Sequence, residues 1–230
     1  MENWALIIFD EMYFSFDEER DDFEQRKLVC NVVAHEISHH WFGDLVTMSH
    51  WRNLFLNEGF ATLMGFDALA ATVNSSVDPD AEFVRNRMPA AFEVDSAITS
   101  PPISYGNDTV PEGFVKEIVY NKGACVLRMF KYVLGGFDNF AESLGIYVNK
   151  FRYGNVEYMD LLRVLSESHR SLTNGSTTVD FMNFGLSWIE QPGFPVVSVV
   201  RLNTTHVHLS QKRFLRQEDE PESPPTFVFV

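Results

Sequence analysis

Two histidines four residues apart, with a glutamate directly after the first, restrict a chain more tightly than any average property does. His35-Glu36-Ile37-Ser38-His39 is such a segment. On a helix of about 3.6 residues per turn its two imidazoles face the same way, about 6 Å apart along the axis, so both can reach one ion. Zinc in hydrolases commonly takes three protein ligands and leaves the fourth position to water, and two His with one Glu is a known set. Eighteen residues, 40 to 57, separate His39 from Glu58, which opens the next predicted helix in Asn57-Glu58-Gly59. The Gly43 turn lies between them, and a helix-turn-helix closing on one Zn2+ per chain follows, with His35, His39 and Glu58 as ligands. Glu36 is too close to His35 to share its role and is left as general base for the metal's water. His40 offers a second pairing with Glu36 at the same spacing, which would lose one of the two imidazoles.

Around this segment Leu28, Val29, Val32, Val33, Ile37 and Trp41 recur at threes and fours, predicting an amphipathic helix over 25–42 that Gly43 ends. A second helix is expected over about 57–73, then a turn, then a mixed, proline-bearing stretch to 110. Helices resume near 111 and continue to about 170, broken at Gly135-Gly136 and Tyr153-Gly154, and one more spans 178–190. At the start, Met1 to Phe16 reads as a strand centred on WALIIF, followed by the charged run 17–22 as a solvated loop. Past Pro195 the β-branched segments VVSVV and THVHLS read as strands separated by Asn203. A charged, Pro-rich loop and a further strand, TFVFV, follow.

With 45% hydrophobic residues in 230, the chain has the material for a real core. Its formal charge of −14 weighs against nucleic acid and anionic membranes, and makes basic or neutral peptides the easier partners. Cys30 and Cys125 fall in apolar helical stretches and read as buried free thiols. Four N-x-S/T sequons, at Asn74, Asn107, Asn174 and Asn203, lean towards an extracellular or membrane-attached ectodomain, with a cytoplasmic location also open. No apolar run approaches the roughly 20 residues that span a bilayer, and the first residues lack the basic start of a signal peptide, so any anchor or signal is expected outside this chain.

Longer segments carry a more specific likeness. HEISHHWFGDLVT with WRNLFLNEGFAT resembles the zinc signature of the M1 aminopeptidases, which belong to the gluzincin metallopeptidases. Met1-Glu2-Asn3 resembles the end of that family's G-x-M-E-N motif, and residues 118–124, IVYNKGA, resemble the segment that supplies its catalytic tyrosine. The run from Trp188 to Pro195 is similar to the end of its thermolysin-like domain. The departures are His40 where Gln is usual, Asn53 for a frequent Asp, and a start at Met1 that omits the first two residues of the amine-binding motif. None removes a ligand.

The resemblance implies an α+β, mainly α-helical fold: a thermolysin-like catalytic domain over 1–195, then the start of a β-sandwich domain over 196–230. It implies a zinc aminopeptidase that removes the N-terminal residue of peptides by means of a zinc-activated water. Tyr120 would stabilise the oxyanion, and Glu2, flanked by Met1 and Asn3, would hold the substrate's free amine. The family's N-terminal β-domain and C-terminal helical domain have no counterpart in this chain. That leaves a second reading, a catalytically impaired fragment or zinc-stabilised peptide-binding module. For ordering a ligand histidine, Asp44 and Asn53 are the two candidates.

Overall fold

A computed structural model of the chain describes residues 1–72, 77–105, 115–176 and 179–216. Among these the protein is mainly helical, with three separate two-stranded pairings. The N-terminal segment forms the smallest of them, β1 (Glu2–Asn3) antiparallel to β2 (Leu6–Ile7), with Ala5 at φ 63° in the turn. The strand expected around WALIIF is thus a tight turn and two strand fragments, because Trp4-Ala5 reverses the chain in its middle.

The charged run that follows is more than a solvated loop. Asp22 caps α1 (Phe23–Ser38), its Oδ1 accepting from the Gln25 amide at 2.9 Å. A side-chain acceptor there satisfies one of the first-turn N–H groups that have no partner inside a helix. The helix period is as expected, but the inward face is not. Lys27 and Asn31 are its buried residues, whereas Leu28, Ile37 and Trp41 are exposed. Lys27 tolerates burial because Glu24 and Glu82 lie 2.8 and 3.1 Å from its ammonium, and Asn31 packs against Gly65.

After α1 the chain turns at Gly43 (φ 145°) into β3 (Val46–Met48), passes a 3-10 turn at Trp51–Asn53, and begins α2 (Phe55–Asp67). This second helix is the centre of the core: Phe55, Leu56, Phe60, Ala61, Leu63 and Phe66 are all buried. The short α3 (Leu69–Thr72), then α4 (Pro79–Asn86) and α5 (Met88–Asp95), complete the first half. Neither α4 nor α5 was expected, because their prolines read as breakers. Pro79 sits in the first turn of α4, where it fits the geometry, and Asp78 caps it through the amides of Asp80 and Ala81.

A π-helical turn, Glu117–Lys122, leads into α6 (Gly123–Val133), followed by α7 (Phe137–Phe151), β4 (Gly154–Val156), α8 (Tyr158–Leu172) and α9 (Phe181–Ile189). β3 and β4 pair in parallel, a link between segments about a hundred residues apart that local patterning does not reveal. Gly59 of α2 and Gly123 of α6 let those helices touch: a Cβ on Gly59 would come within 3.2 Å of the Gly123 carbonyl carbon. Past the helices, the two expected strands are β5 (Pro195–Arg201) and β6 (Val207–Arg213), which pair as an antiparallel hairpin turned at Asn203, whose Oδ1 accepts from the amides of Thr205 and His206. The sequons at Asn74 and Asn107, the Pro-rich tail and TFVFV lie outside the described residues. Cys30 and Cys125 are free thiols, and burial pushes the Cys125 pKa up to about 12.

Candidate metal centre and active-site cleft

The His-Glu pair falls in the last turn of α1. The helix stops at Ser38, four residues earlier than expected, yet His39 keeps right-handed helical dihedrals and its amide still donates to the His35 carbonyl at 3.3 Å. The i, i+4 relation therefore survives the helix end. Glu58 arrives from the first turn of α2, where the positive end of the helix dipole favours a carboxylate.

His35 Nε2 and His39 Nε2 are 3.2 Å apart, and each is 3.3 Å from Glu58 Oε2. A tetrahedral centre with bonds of about 2.0–2.1 Å has its ligand atoms about 3.3–3.4 Å from one another, so these three atoms match one face of such a tetrahedron. Glu58 Oε2 is buried and has no hydrogen-bond donor of good geometry, as expected of an atom whose natural partner is a cation. The donor set of two imidazole nitrogens and one carboxylate oxygen suits zinc. Among the described residues this is the one group of three His, Cys, Asp or Glu side chains able to hold a metal ion.

Electrostatics reinforce the geometry. Burial opposes ionisation of Glu58, but the close approach and charge of His35 and His39 outweigh it and bring the pKa to about 2. His39 is buried too, which disfavours its cation, yet Glu58 overcomes that and raises its pKa above the usual histidine value. Its Nδ1 donates to the Phe42 carbonyl at 3.1 Å, which commits that nitrogen to carrying hydrogen and turns Nε2 towards the cluster. Neither Asp44 nor Asn53 fills this supporting role. Asn53 is fully buried and accepts from the Tyr158 amide at 3.1 Å, bracing α8. A backbone carbonyl as the orienting group carries no signature in residue type; the nearby Gly43 was the available hint.

His35, His39 and Glu58 line a cleft of about 560 Å³ together with Met1, Glu2, Glu36 and Tyr120. Tyr120 comes from the π-helical turn, its ring parallel to that of His35 at 6.0 Å. Burial, then the charge of Glu58 and a hydrogen bond with it, raise its pKa well above the usual phenol value, so it carries its proton throughout the neutral range. Glu2 and Glu36 stand together: Oε2 of each lies 3.5 Å from the Met1 ammonium. Asn3 is exposed on β1 and is not among the residues lining the cleft. His40 stands outside the cluster, so the alternative pairing with Glu36 is not the one the fold assembles.

Comparison with known proteins agrees with this architecture. Residues 1–184 match the peptidase family M1 domain. The chain is 34% identical over 226 residues to an aminopeptidase N of Haemonchus contortus, covering 96% of this chain and 23% of that protein. It is 35% identical over 217 residues to the tricorn protease-interacting factor F2 of Thermoplasma acidophilum, with 93% and 26% covered. Against the alanine/arginine aminopeptidase of Saccharomyces cerevisiae it is 32% identical over 235 residues, with 100% and 26% covered. The chain thus spans about a quarter of the length of the curated relatives it matches, and by the extent of these matches it belongs to peptidase family M1.

Proposed function

We propose that this chain is the zinc-binding catalytic core of an aminopeptidase, with His35, His39 and Glu58 as ligands. The observation that carries the reading is the triangle of three ligand atoms, 3.2 to 3.3 Å on each side, facing Glu36 and Tyr120 across one cleft. Bound there, zinc would supply a Lewis acid and bring the pKa of a coordinated water towards neutrality.

The chain's own residues do the rest. Glu36, on the same helix face as the ligands, accepts a proton from the attacking water and returns it to the leaving amine. Tyr120, held un-ionised, donates its hydroxyl hydrogen to the oxygen on which negative charge develops, where a carboxylate would repel it. Glu2 holds the substrate's α-ammonium; its place in the cleft lining beside Glu36, His35 and His39 supports that assignment. A carboxylate at that distance from the reacting bond favours peptides with a free N-terminus. Met1 forms the wall beside it, and Asn3 acts through strand pairing that fixes Glu2 in place.

Residues 1–195 are taken as the thermolysin-like catalytic unit and 196–230 as the opening of a β-sandwich. Exposed Val197, Val199, Val200 and Leu209 on the hairpin support further pairing there. The test is release of an amino-acid amide's fluorophore with and without a chelator, using Glu36→Gln to exclude a contaminating peptidase. Zinc-loaded protein that hydrolyses no unblocked substrate, or that cleaves N-acetylated peptides equally well, would overturn the proposal.

A further inference from the structure

The cleft has two chemically different ends. Leu28, Asn31, Val32, His35, Glu36 and His39 line it in that order along α1, so it follows the helix axis for about 16 Å. At the His39 end the Trp4 indole donates to the His40 carbonyl at 3.1 Å, which anchors the neighbouring Glu2 there. That end is acidic.

The opposite end, one turn before His35, is built from Asn31 and Arg87, both of which line the cleft and its 290 Å³ annex. The Nε of Arg87 is buried without a hydrogen-bond partner. Among the described residues its guanidinium forms no ion pair, and its contact is the Phe66 ring, 5.2 Å away. Burial lowers the guanidinium pKa, and no neighbouring carboxylate raises it again. Asn31, 8% exposed, likewise has a buried Nδ2 with no acceptor. The two acids that line the annex are already engaged, Glu82 with Lys27 and Arg85 and Glu24 with Lys27, and among the described residues Glu117, which also lines the cleft, forms no ion pair with Arg87. Buried donors in folded proteins are almost always paired, and a guanidinium fork matches a carboxylate in both charge and shape.

We infer that Arg87 and Asn31 form a carboxylate-binding subsite on the leaving-group side of the scissile bond. The inference rests on the aminopeptidase reading of the cleft, which puts the substrate amine at Glu2 and so directs the rest of the peptide along α1 towards Arg87. An extended peptide advances about 3.3–3.6 Å per residue, and one helical turn is about 5.4 Å. The subsite therefore meets a carboxylate one or two residues beyond the bond. Two sources supply it, the C-terminus of a tripeptide or an acidic side chain just past the bond.

The test is calorimetric binding to the full chain carrying Glu36→Gln and loaded with zinc, which holds peptides without cutting them. Ala-Ala-Ala as free acid is compared with its C-terminal amide, and Ala-Glu-Ala amide with Ala-Gln-Ala amide, so that the two sources are separated. At least one carboxylate ligand is expected to bind about tenfold tighter than its neutral counterpart. Adding Arg87→Gln should bring the pair within about twofold, leaving neutral-ligand affinity, zinc content and melting temperature unchanged. Arg87→Lys should restore part of the difference, since it keeps charge but loses the fork. Equal affinities within both pairs, or a preference that persists in Arg87→Gln, would overturn the inference. Leucine amide hydrolysis by the parent chain tests the aminopeptidase reading separately, and its failure would leave the acid-to-amide comparison readable.

Discussion

Replacing Lys122 with methionine removes a buried ammonium while keeping most of its aliphatic stem. Lys122 is 4% exposed and its partner Asp95 2%. The ammonium lies 2.8 Å from Asp95 Oδ2 and donates to the carbonyls of Gln191 and Gly193 at 3.2 and 3.1 Å. It therefore ties the end of α5 and the turn after α9 to the π-helical turn that carries Tyr120. Without it, Asp95 keeps hydrogen bonds from Ser100 and the Gly193 amide but loses its counter-charge, and breaking one side of a buried pair costs about 3–5 kcal/mol. For a chain of this size that corresponds to a fall in Tm of roughly 6–20 °C. Adding Asp95→Asn should recover much of the loss, because the carboxylate left unpaired is then neutral. Thermal melting of the single and double variants gives the coupling, and leucine amide turnover should fall in the single variant as Tyr120 loses its brace. A destabilisation below about 1 kcal/mol would refute the claim that this pair holds the segment.

Metal content separates ligands from base: His35→Ala and Glu58→Ala should lose stoichiometric zinc in metal analysis, whereas Glu36→Gln should retain it with no measurable hydrolysis. A His35→Ala protein with a full equivalent of zinc would show the ligand set to be wrong. Tyr120→Phe should lower kcat on the order of a hundredfold with little change in KM, as removal of a donor made for the transition state does; a raised KM at unchanged kcat would contradict that role. Gly43→Ala forces a side chain onto φ 145° and within 3.1 Å of the His39 carbonyl oxygen, so it should shift the Phe42 carbonyl off His39 Nδ1 and weaken zinc affinity by about 10–100-fold in a competition titration with a chelator.

The residues legible in the sequence were those whose relation is local. Helical spacing places His35 above His39 whatever the rest of the chain does, and the separation from Glu58 needs only one reversal and one new helix. β5 and β6 were legible as strands for the same reason, their β-branched residues and the break at Asn203 being local, whereas their antiparallel pairing came only with the structure. What the sequence hid depends on contacts between distant segments. The inward stripe of α1 is polar because Glu82, fifty-five residues on, neutralises Lys27, so hydrophobic periodicity pointed to the wrong face. Arg87 drew no attention because its significance lies in having no partner, which no local pattern records. The prolines of α4 and α5 were misread for a different reason: a first-turn proline and an interior proline look alike until the cap at Asp78 is recognised.

The spacing of eighteen residues between His39 and Glu58 has a physical account in what those residues build. The site joins the C-terminal end of α1 to the N-terminal end of α2, and the two helix ends contribute unlike charges. A cation beside the last carbonyls of α1 and a carboxylate in the first turn of α2 are each favoured by the local helix dipole, by about 0.3–1 kcal/mol in ordinary cases. To bring those ends together the chain must leave α1 sharply, and it does so at Gly43, where backbone approaches within 3.1 Å of where a Cβ would stand. It must then run back far enough to start a helix at the correct height. β3 provides that run, and its parallel pairing with β4 fixes it to the second half of the chain. The 3-10 turn at Trp51–Asn53 starts the new helix, held by the buried Asn53 side chain against the start of α8. Glu58 then faces the imidazoles because Phe55, Leu56, Phe60 and Leu63 of the same helix are buried and fix its rotation, at about 100° per residue. The proposed third ligand is thus placed by a turn, a strand and a 3-10 turn together, and the proposed oxyanion donor by the close crossing of α2 and α6 at Gly59 and Gly123, one residue from Glu58 and three from Tyr120.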